Sequence, residues 1–297
     1  MVVIPTKHYD TLMRGIVTHR SLTSCTAVTE SSERLHVLFK NKSQPVVTGD
    51  YIQIVKNDES YVLSSIETRT NEFVRANSHL NKEVMASNLT QIAIIMAPSP
   101  KPDLLLMDGM IAAAEYLNIK PLLIYNKIDL SELESVFTFH SDLYSFISIS
   151  AKHRNNLEQL MAFLDNETTL FIGQSGVGKS TLMNRLIGED HQKISELSKL
   201  HGKHTTSAST LYSLSSKTQI IDTPGVRSFL PFFEHQRDII KGFKDLSNYL
   251  GMCRFHNCIH HNEPDCAVIK ALESKEISAS RFANYQKIYE LYTASNS

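Results

Sequence analysis

The amino-acid sequence predicts a multidomain protein in three parts: an N-terminal all-β barrel, a central α/β domain built around a phosphate-binding loop, and a C-terminal, mostly α module that binds a metal. Three observations carry this. Short runs of alternating apolar residues fill the chain before about position 76, a glycine-rich loop at 173–180 lies between an apolar run and a helical one, and three cysteines share 253–266 with several histidines. At 297 residues the chain has room for two or three domains, and 42% hydrophobic content is ordinary for globular folds.

In the N-terminal part, Gly15-Ile16-Val17-Thr18 and Leu35-His36-Val37-Leu38-Phe39 read as strands. Turn signals at Gly49-Asp50 and Asn57-Asp58 set off two more, Tyr51-Ile52-Gln53-Ile54-Val55 and Tyr61-Val62-Leu63. Five strands in this length fit an OB-fold, whose strand face and loops often hold nucleic acid; composition alone equally allows an SH3-like barrel. Cys25 reads as a small buried strand residue. The β-domain hands over to the next near Asn77 to Leu89, ahead of the strand Ile92-Ala93-Ile94-Ile95-Met96.

In the central part, helices are expected from Leu104 to Leu117 and, capped by Asn155 or Asn156, from Leu157 to Leu164. The apolar run Leu122-Leu123-Ile124-Tyr125 leads into Asn126-Lys127-Ile128-Asp129. The Asp129 carboxylate can accept from both N1–H and the exocyclic amine of guanine, and adenine has no such pair of donors. Asn126 is expected to tie this loop to the phosphate loop, with the Lys127 stem along the base. Ser150-Ala151-Lys152 follows Phe146-Ile147-Ser148-Ile149 and can back the base with its N–H groups.

Thr169-Leu170-Phe171-Ile172 is suited to a buried strand and opens into Gly173-Gln174-Ser175-Gly176-Val177-Gly178-Lys179-Ser180, with Thr181 next. Glycines let N–H groups turn inward on phosphates, Lys179 reaches the β and γ oxygens, and Ser180 supplies a magnesium ligand. Leu182, Met183, Leu186 and Ile187 then recur at helical spacing. Downstream, Asp222-Thr223-Pro224-Gly225 can hold the magnesium shell through Asp222 and meet the γ-phosphate through the Gly225 N–H. Between them Gly202-Lys203-His204-Thr205-Thr206 offers a magnesium hydroxyl from Thr205 or Thr206 when a triphosphate is present. The guanine motif precedes the phosphate loop, the reverse of the ordinary order, so the domain is circularly permuted.

In the C-terminal part, Cys253, Cys258 and Cys266 with one imidazole from His256, His260 or His261 form a soft ligand set for tetrahedral zinc with no open position, hence structural. The tail from Ala267 to Leu291 reads as mostly helical, with Phe282, Tyr285, Ile288 and Tyr289 at core spacing.

This order of motifs is similar to that of the circularly permuted bacterial P-loop GTPases, and Gly202-Lys203-His204-Thr205-Thr206 resembles specifically the ribosome small subunit-dependent GTPase A family, also called RsgA or YjeQ/EngC. The resemblance covers nearly the whole chain. It selects His260 as the fourth zinc ligand, giving C-x4-C-x-H-x5-C, and favours the OB-fold. The expected division is a 1–75 OB-fold that binds RNA, a 76–230 circularly permuted GTPase domain and a 231–297 zinc module. It implies a late assembly factor of the small ribosomal subunit: the GTP form docks on the subunit and its rRNA, the subunit stimulates hydrolysis, and the GDP form leaves. Other small-subunit assembly factors are expected nearby. The family's basic-glycine pair is missing from Phe39-Lys40-Asn41-Lys42, a departure in the β-domain.

Hydrolysis needs magnesium, charge stabilisation and an in-line water. Lys179, Ser180 and Thr205 or Thr206 are expected to supply the first two. Where Ras-like GTPases carry a water-orienting glutamine, this chain has Val226, so slow intrinsic turnover is expected, with His204 as the candidate water positioner. The stretch His191 to His204 is locally basic through Lys193, Lys199 and Lys203, although the whole chain carries a net charge of −1. No apolar run approaches the roughly 20 residues needed to span a bilayer and no signal peptide is evident, so a cytoplasmic monomer with no membrane partner is expected.

Overall fold

The structure, a computed structural model, describes residues 12–41, 45–57, 60–77, 79–131, 137–188 and 209–295. Its N-terminal strands are β1 (Leu12–Arg20), β2 (Ser24–Thr29), β3 (Arg34–Leu38), β4 (Tyr51–Asn57) and β5 (Ser60–Ile66). β1 pairs antiparallel with both β2 and β4, β2 with β3 and β4 with β5, while β3 and β5 run parallel. The ring therefore closes in the order β1-β2-β3-β5-β4-β1, a five-stranded barrel of the OB type rather than the SH3-like alternative. Alternation drives the closure: every second residue of β3 and β4 is buried, and Val17, Ala27, Val37, Ile52, Ile54 and Leu63 fill the interior with Cys25.

Residues 77–89, which the sequence suggests only as a junction, carry a strand. β6 (Glu72–Ala76) and β7 (Lys82–Ser87) form a hairpin whose Phe73 and Ala86 are buried in the core of the next domain. Charges on β7 mask its alternation. Asp50 pins the barrel to this hairpin: its fully buried carboxylate accepts from Arg69 at 2.7 and 2.8 Å, from the Ser87 hydroxyl at 2.6 Å and from the Val47 N–H at 2.8 Å. A buried carboxylate with this many donors is not left orphaned.

The central domain runs β8 (Gln91–Met96), α1 (Leu104–Tyr116), β9 (Lys120–Tyr125), α2 (Thr138–Leu143), β10 (Ser145–Ser148), α3 (Leu157–Leu164), β11 (Thr168–Gly173), α4 (Lys179–Ile187), β12 (Thr210–Ser213) and β13 (Gln219–Asp222). Strand order is β10-β9-β8-β11-β13-β12, all parallel except β12. Both sheet faces are covered, so the strands are apolar throughout: Ile92 and Ile94 point into one core with α1, Ala93 and Ile95 into the other with α3 and α4. β12 also pairs with β1 of the barrel through His19 and Thr210, which joins the two domains in one continuous sheet.

Beyond β13, β14 (Leu230–Pro231) adds to the β6 edge, and a 3-10 helix (Gln236–Gly242), α5 (Lys244–Ser247), α6 (Ala267–Glu273) and α7 (Ala279–Ser295) follow. The helical tail thus breaks once, at 274–278. Phe282, Tyr285 and Ile288 are buried and Tyr289 partly so; Tyr292 extends the same stripe and bonds the Pro231 carbonyl at 2.6 Å. No described helix is long and apolar enough to cross a membrane.

Candidate functional site

The loops at the carboxyl ends of β9, β10, β11 and β13 meet at one end of the sheet, the position at which open α/β sheets bind ligands. Asn126 fastens them. Its buried carboxamide donates from Nδ2 to the Val177 carbonyl at 3.0 Å and accepts at Oδ1 from the Ala151 N–H at 3.0 Å, so one side chain joins the guanine motif, the Ser150-Ala151-Lys152 loop and the phosphate loop. Gly178 makes this possible: its φ is +92°, and a Cβ there would stand 2.5 Å from Asn126 Nδ2.

Around this joint the base side is built from three residues. Lys127 extends beneath the phosphate loop, its Nζ donating to the Ser99 and Gly176 carbonyls at 2.7 Å each. Ile128 packs on the core and donates its N–H to the Ile149 carbonyl at 3.2 Å. Asp129 accepts the Ser150 hydroxyl at Oδ1, and His153 Nε2 lies 3.7 Å from Oδ2. The Ser150 hydrogen bond is the main cause holding the Asp129 carboxyl below the usual carboxylate range. Ser150 and Ala151 are buried while Lys152 is exposed.

On the phosphate side, β11 ends at Gly173 and the loop Gln174 to Gly178 leads into α4, whose N-cap is a glycine with no side chain to satisfy the first-turn N–H groups. Such an end favours anions. Ser180 and Thr181 are exposed on that first turn. Lys179, with only 8% of its side chain exposed, is ion-paired with Asp222. The segment after Asp222 lies directly on the phosphate loop: Thr223 bonds the Phe171 carbonyl at 2.8 Å, Val226 donates to the Gly173 carbonyl at 3.1 Å and accepts from Ser175 at 3.2 Å. Gly225 faces Ser175 so closely that a Cβ would stand 3.2 Å from its Cα. Val226 is itself part of the buried core. His204, Thr205 and Thr206 lie outside the described residues, as does the basic stretch 191–204.

Two contacts are not readable from motifs. Ser99 acts through its carbonyl, which any residue has; only the flanking Pro98 and Pro100 mark a stiff loop there. His153 sits beside Asp129 because the short loop after Ser150 turns back on it through paired Ser150 and Asn155 backbones.

The second centre is in the C-terminal module. Cys253, Cys258, His260 and Cys266 bring one ligand atom each to within 4.8 Å of one another. His260 Nδ1 lies 3.5, 3.5 and 3.4 Å from the sulfurs of Cys253, Cys258 and Cys266, and Cys253 and Cys266 are 3.8 Å apart. Zinc bonds of about 2.3 Å to sulfur and about 2.0 Å to nitrogen at tetrahedral angles require sulfurs about 3.8 Å apart and sulfur about 3.5 Å from nitrogen, so the cluster fits that ion. Burial lowers the His260 pKa, which favours the neutral imidazole a metal needs. Glu263 orders the loop by accepting the Ile259, His261 and Asn262 N–H groups at 2.7, 2.8 and 3.2 Å. His261 instead contacts Gln286 at 3.2 Å.

A guanine motif and its backing loop that precede the phosphate loop in the chain yet converge with it through Asn126 define a circularly permuted P-loop GTPase. A model of the RsgA GTPase family matches residues 66–230. The small ribosomal subunit biogenesis GTPase RsgA of Actinobacillus pleuropneumoniae is 34% identical over 294 residues, spanning 94% of this chain and 85% of that protein. Its counterpart from Pseudomonas fluorescens is 36% identical over 253 residues, 82% of this chain and 74% of that one. The chain belongs to the RsgA GTPase family. Its fold is similar to YjeQ from Thermotoga maritima, with a TM-score of 0.72 at 24% identity over 95% of this chain and 99% of that one. It is likewise similar to YloQ, a circularly permuted GTPase, with a TM-score of 0.70 at 22% identity over 98% and 99%.

Proposed function

We propose that this protein binds the small ribosomal subunit, assists its late maturation by hydrolysing GTP to GDP and phosphate under stimulation by the subunit, and then dissociates. The observation that supports the reading is the Asn126 joint, which fastens the loop carrying Asp129 to the phosphate loop and to the Ser150-Ala151-Lys152 loop. Relatives named for small-subunit biogenesis supply the process.

In this reading Asn126, Lys127, Ile128 and Asp129 with Ser150, Ala151 and Lys152 hold the base, and 173–181 hold the phosphates. Lys179 and Asp222, ion-paired here, would hold the β and γ phosphates and the shell of a Mg2+ ion respectively, with Ser180 and Thr205 or Thr206 as further magnesium ligands; the ion would supply charge neutralisation at the phosphates. His204 positions the attacking water in the subunit-bound protein. Residues 1–75 and 231–297 meet rRNA, the latter shaped by one structural zinc on Cys253, Cys258, His260 and Cys266, while 76–230 carries the reaction.

Turnover measured alone, with purified small subunits and with purified large subunits tests the proposal. Stimulation by small subunits is expected. Stimulation by large subunits points to a GTPase of the other particle, and none at all to an RNA-binding scaffold that only senses nucleotide; either result defeats it.

A further inference from the structure

Away from the nucleotide loops, a cavity of about 570 Å³ opens between the β6–β7 hairpin, the start of α1, the segment after Gly225 and α7. That volume lies in the range of ligand and anchor pockets, roughly 300–1,000 Å³. Its floor is apolar, made by Leu105, Phe229, Leu230, Ile288 and Leu291. Phe229 and Ile288 are buried, whereas Leu291 is 44% exposed toward the opening.

The charged groups at the rim are mostly engaged. Arg75 is held by Glu83 in two hydrogen bonds of 2.9 Å, and Asp103 accepts the Leu106 N–H at 3.0 Å as the cap of α1. Arg227 is different: it is exposed and makes no ion pair among the described residues. With two arginines against two carboxylates the rim has no formal excess of positive charge, so it lacks the field an RNA backbone needs. A hydrophobic floor beside one uncommitted guanidinium instead matches a bulky apolar side chain next to a carboxylate.

The location gives such an occupant access to the nucleotide state. Val226 is hydrogen-bonded in both directions to the phosphate loop, and Arg227 to Leu230 continue from it straight into the cavity wall. α7 forms the opposite wall. We propose that this cavity docks a protein segment of the small subunit that inserts an apolar anchor and presents a carboxylate to Arg227, so that the particle senses the Asp222–Gly225 segment through a protein contact rather than through RNA. The inference rests on the small-subunit reading above.

The test uses the full chain with a GTP analogue and purified small subunits. A photoreactive benzoylphenylalanine in place of Leu291 is expected to cross-link to a subunit protein. Leu291→Glu places a charge in the apolar floor where the anchor seats and should raise the subunit concentration for half-maximal stimulation by about tenfold, with subunit-free turnover unchanged; Leu291→Met should behave as wild type. Arg227→Glu should weaken stimulation in the same sense. Cross-links only to rRNA, or unaltered half-stimulation by Leu291→Glu, overturn the docking site while wild-type stimulation still upholds the functional reading. Wild-type protein that is neither bound nor stimulated by the subunits overturns both.

Discussion

Arg281 on the last helix donates to Asp108 on the first helix of the nucleotide domain at 2.7 Å, with both side chains essentially removed from solvent. The same guanidinium holds Asp245 at 2.9 Å and the Tyr144 hydroxyl at 3.1 Å, and Asp108 takes further hydrogen bonds from Asn284 and His140 at 2.7 and 3.0 Å. One cation is therefore shared by two buried carboxylates from different parts of the chain, and it is the electrostatic rivet between the C-terminal cysteine-histidine module and the GTPase domain.

Arg281→Met keeps much of the side-chain volume but leaves both carboxylates uncompensated in a dry site. Loss of about 3–5 kcal/mol of stability is expected, read by chemical denaturation at neutral pH. A variant as stable as the parent would show that water reaches Asp108.

Acid should undo the same contact. Burial raises the Asp108 pKa, but the Arg281 charge and the hydrogen bonds outweigh it, so the folded carboxyl titrates below its ordinary value. Its contribution is fully present above the unfolded value of about 3.9 and is lost as pH falls below that through the depressed folded value. The stability difference between the protein and Asp108→Asn is thus expected to be constant from pH 5 upward and to shrink below about pH 4.

Asp129→Asn replaces two acceptors with one acceptor and one donor. Guanine then meets an amine where it needs an oxygen, and affinity for GTP should fall by about tenfold to about 150-fold, as for hydrogen bonds to a charged partner worth about 1.5–3 kcal/mol. Xanthine nucleotides, which carry a carbonyl in place of that amine, should gain. Calorimetry with both nucleotides reads the exchange.

Asn126→Ala removes one residue and frees three loops. The Val177 carbonyl and the Ala151 N–H lose their buried partner, at a cost of about 2–4 kcal/mol. Nucleotide affinity should drop together with the melting temperature, whereas Asp129→Asn should leave the nucleotide-free melting temperature nearly unchanged.

Removing the metal should be a folding event. One zinc per chain is expected by elemental analysis, and Cys258→Ser or a strong chelator should melt 244–295 locally while GTP binding at the distant loops persists. Retention of a full zinc equivalent by Cys258→Ser would argue that the cluster is not its site.

Most of the architecture was legible because its signals are local. The alternation in Leu35 to Phe39, the fixed spacing from Gly173 to Ser180 and the close set of cysteines each report a constraint within one short segment. What stayed hidden depends on distant partners. β7 is read as a junction because Lys82 and Glu83 face water at its start, and only the packing of Ala86 against the nucleotide domain reveals the strand. Arg281 looks like any polar residue in an amphipathic helix until Asp108 and Asp245 arrive from elsewhere. The Lys179–Asp222 pair could not be read from either motif, since each motif assigns its charge to a ligand.

The registered pair of His19 and Thr210 hangs the barrel on β12, with the Thr48 hydroxyl on the Ser209 carbonyl at 3.0 Å as the second attachment. β12 starts just downstream of Thr205 and Thr206 in the chain, so one of the two places where the barrel is fastened to the nucleotide domain, the other being Asp50 on Arg69 and Ser87, adjoins in sequence the threonines expected to serve magnesium.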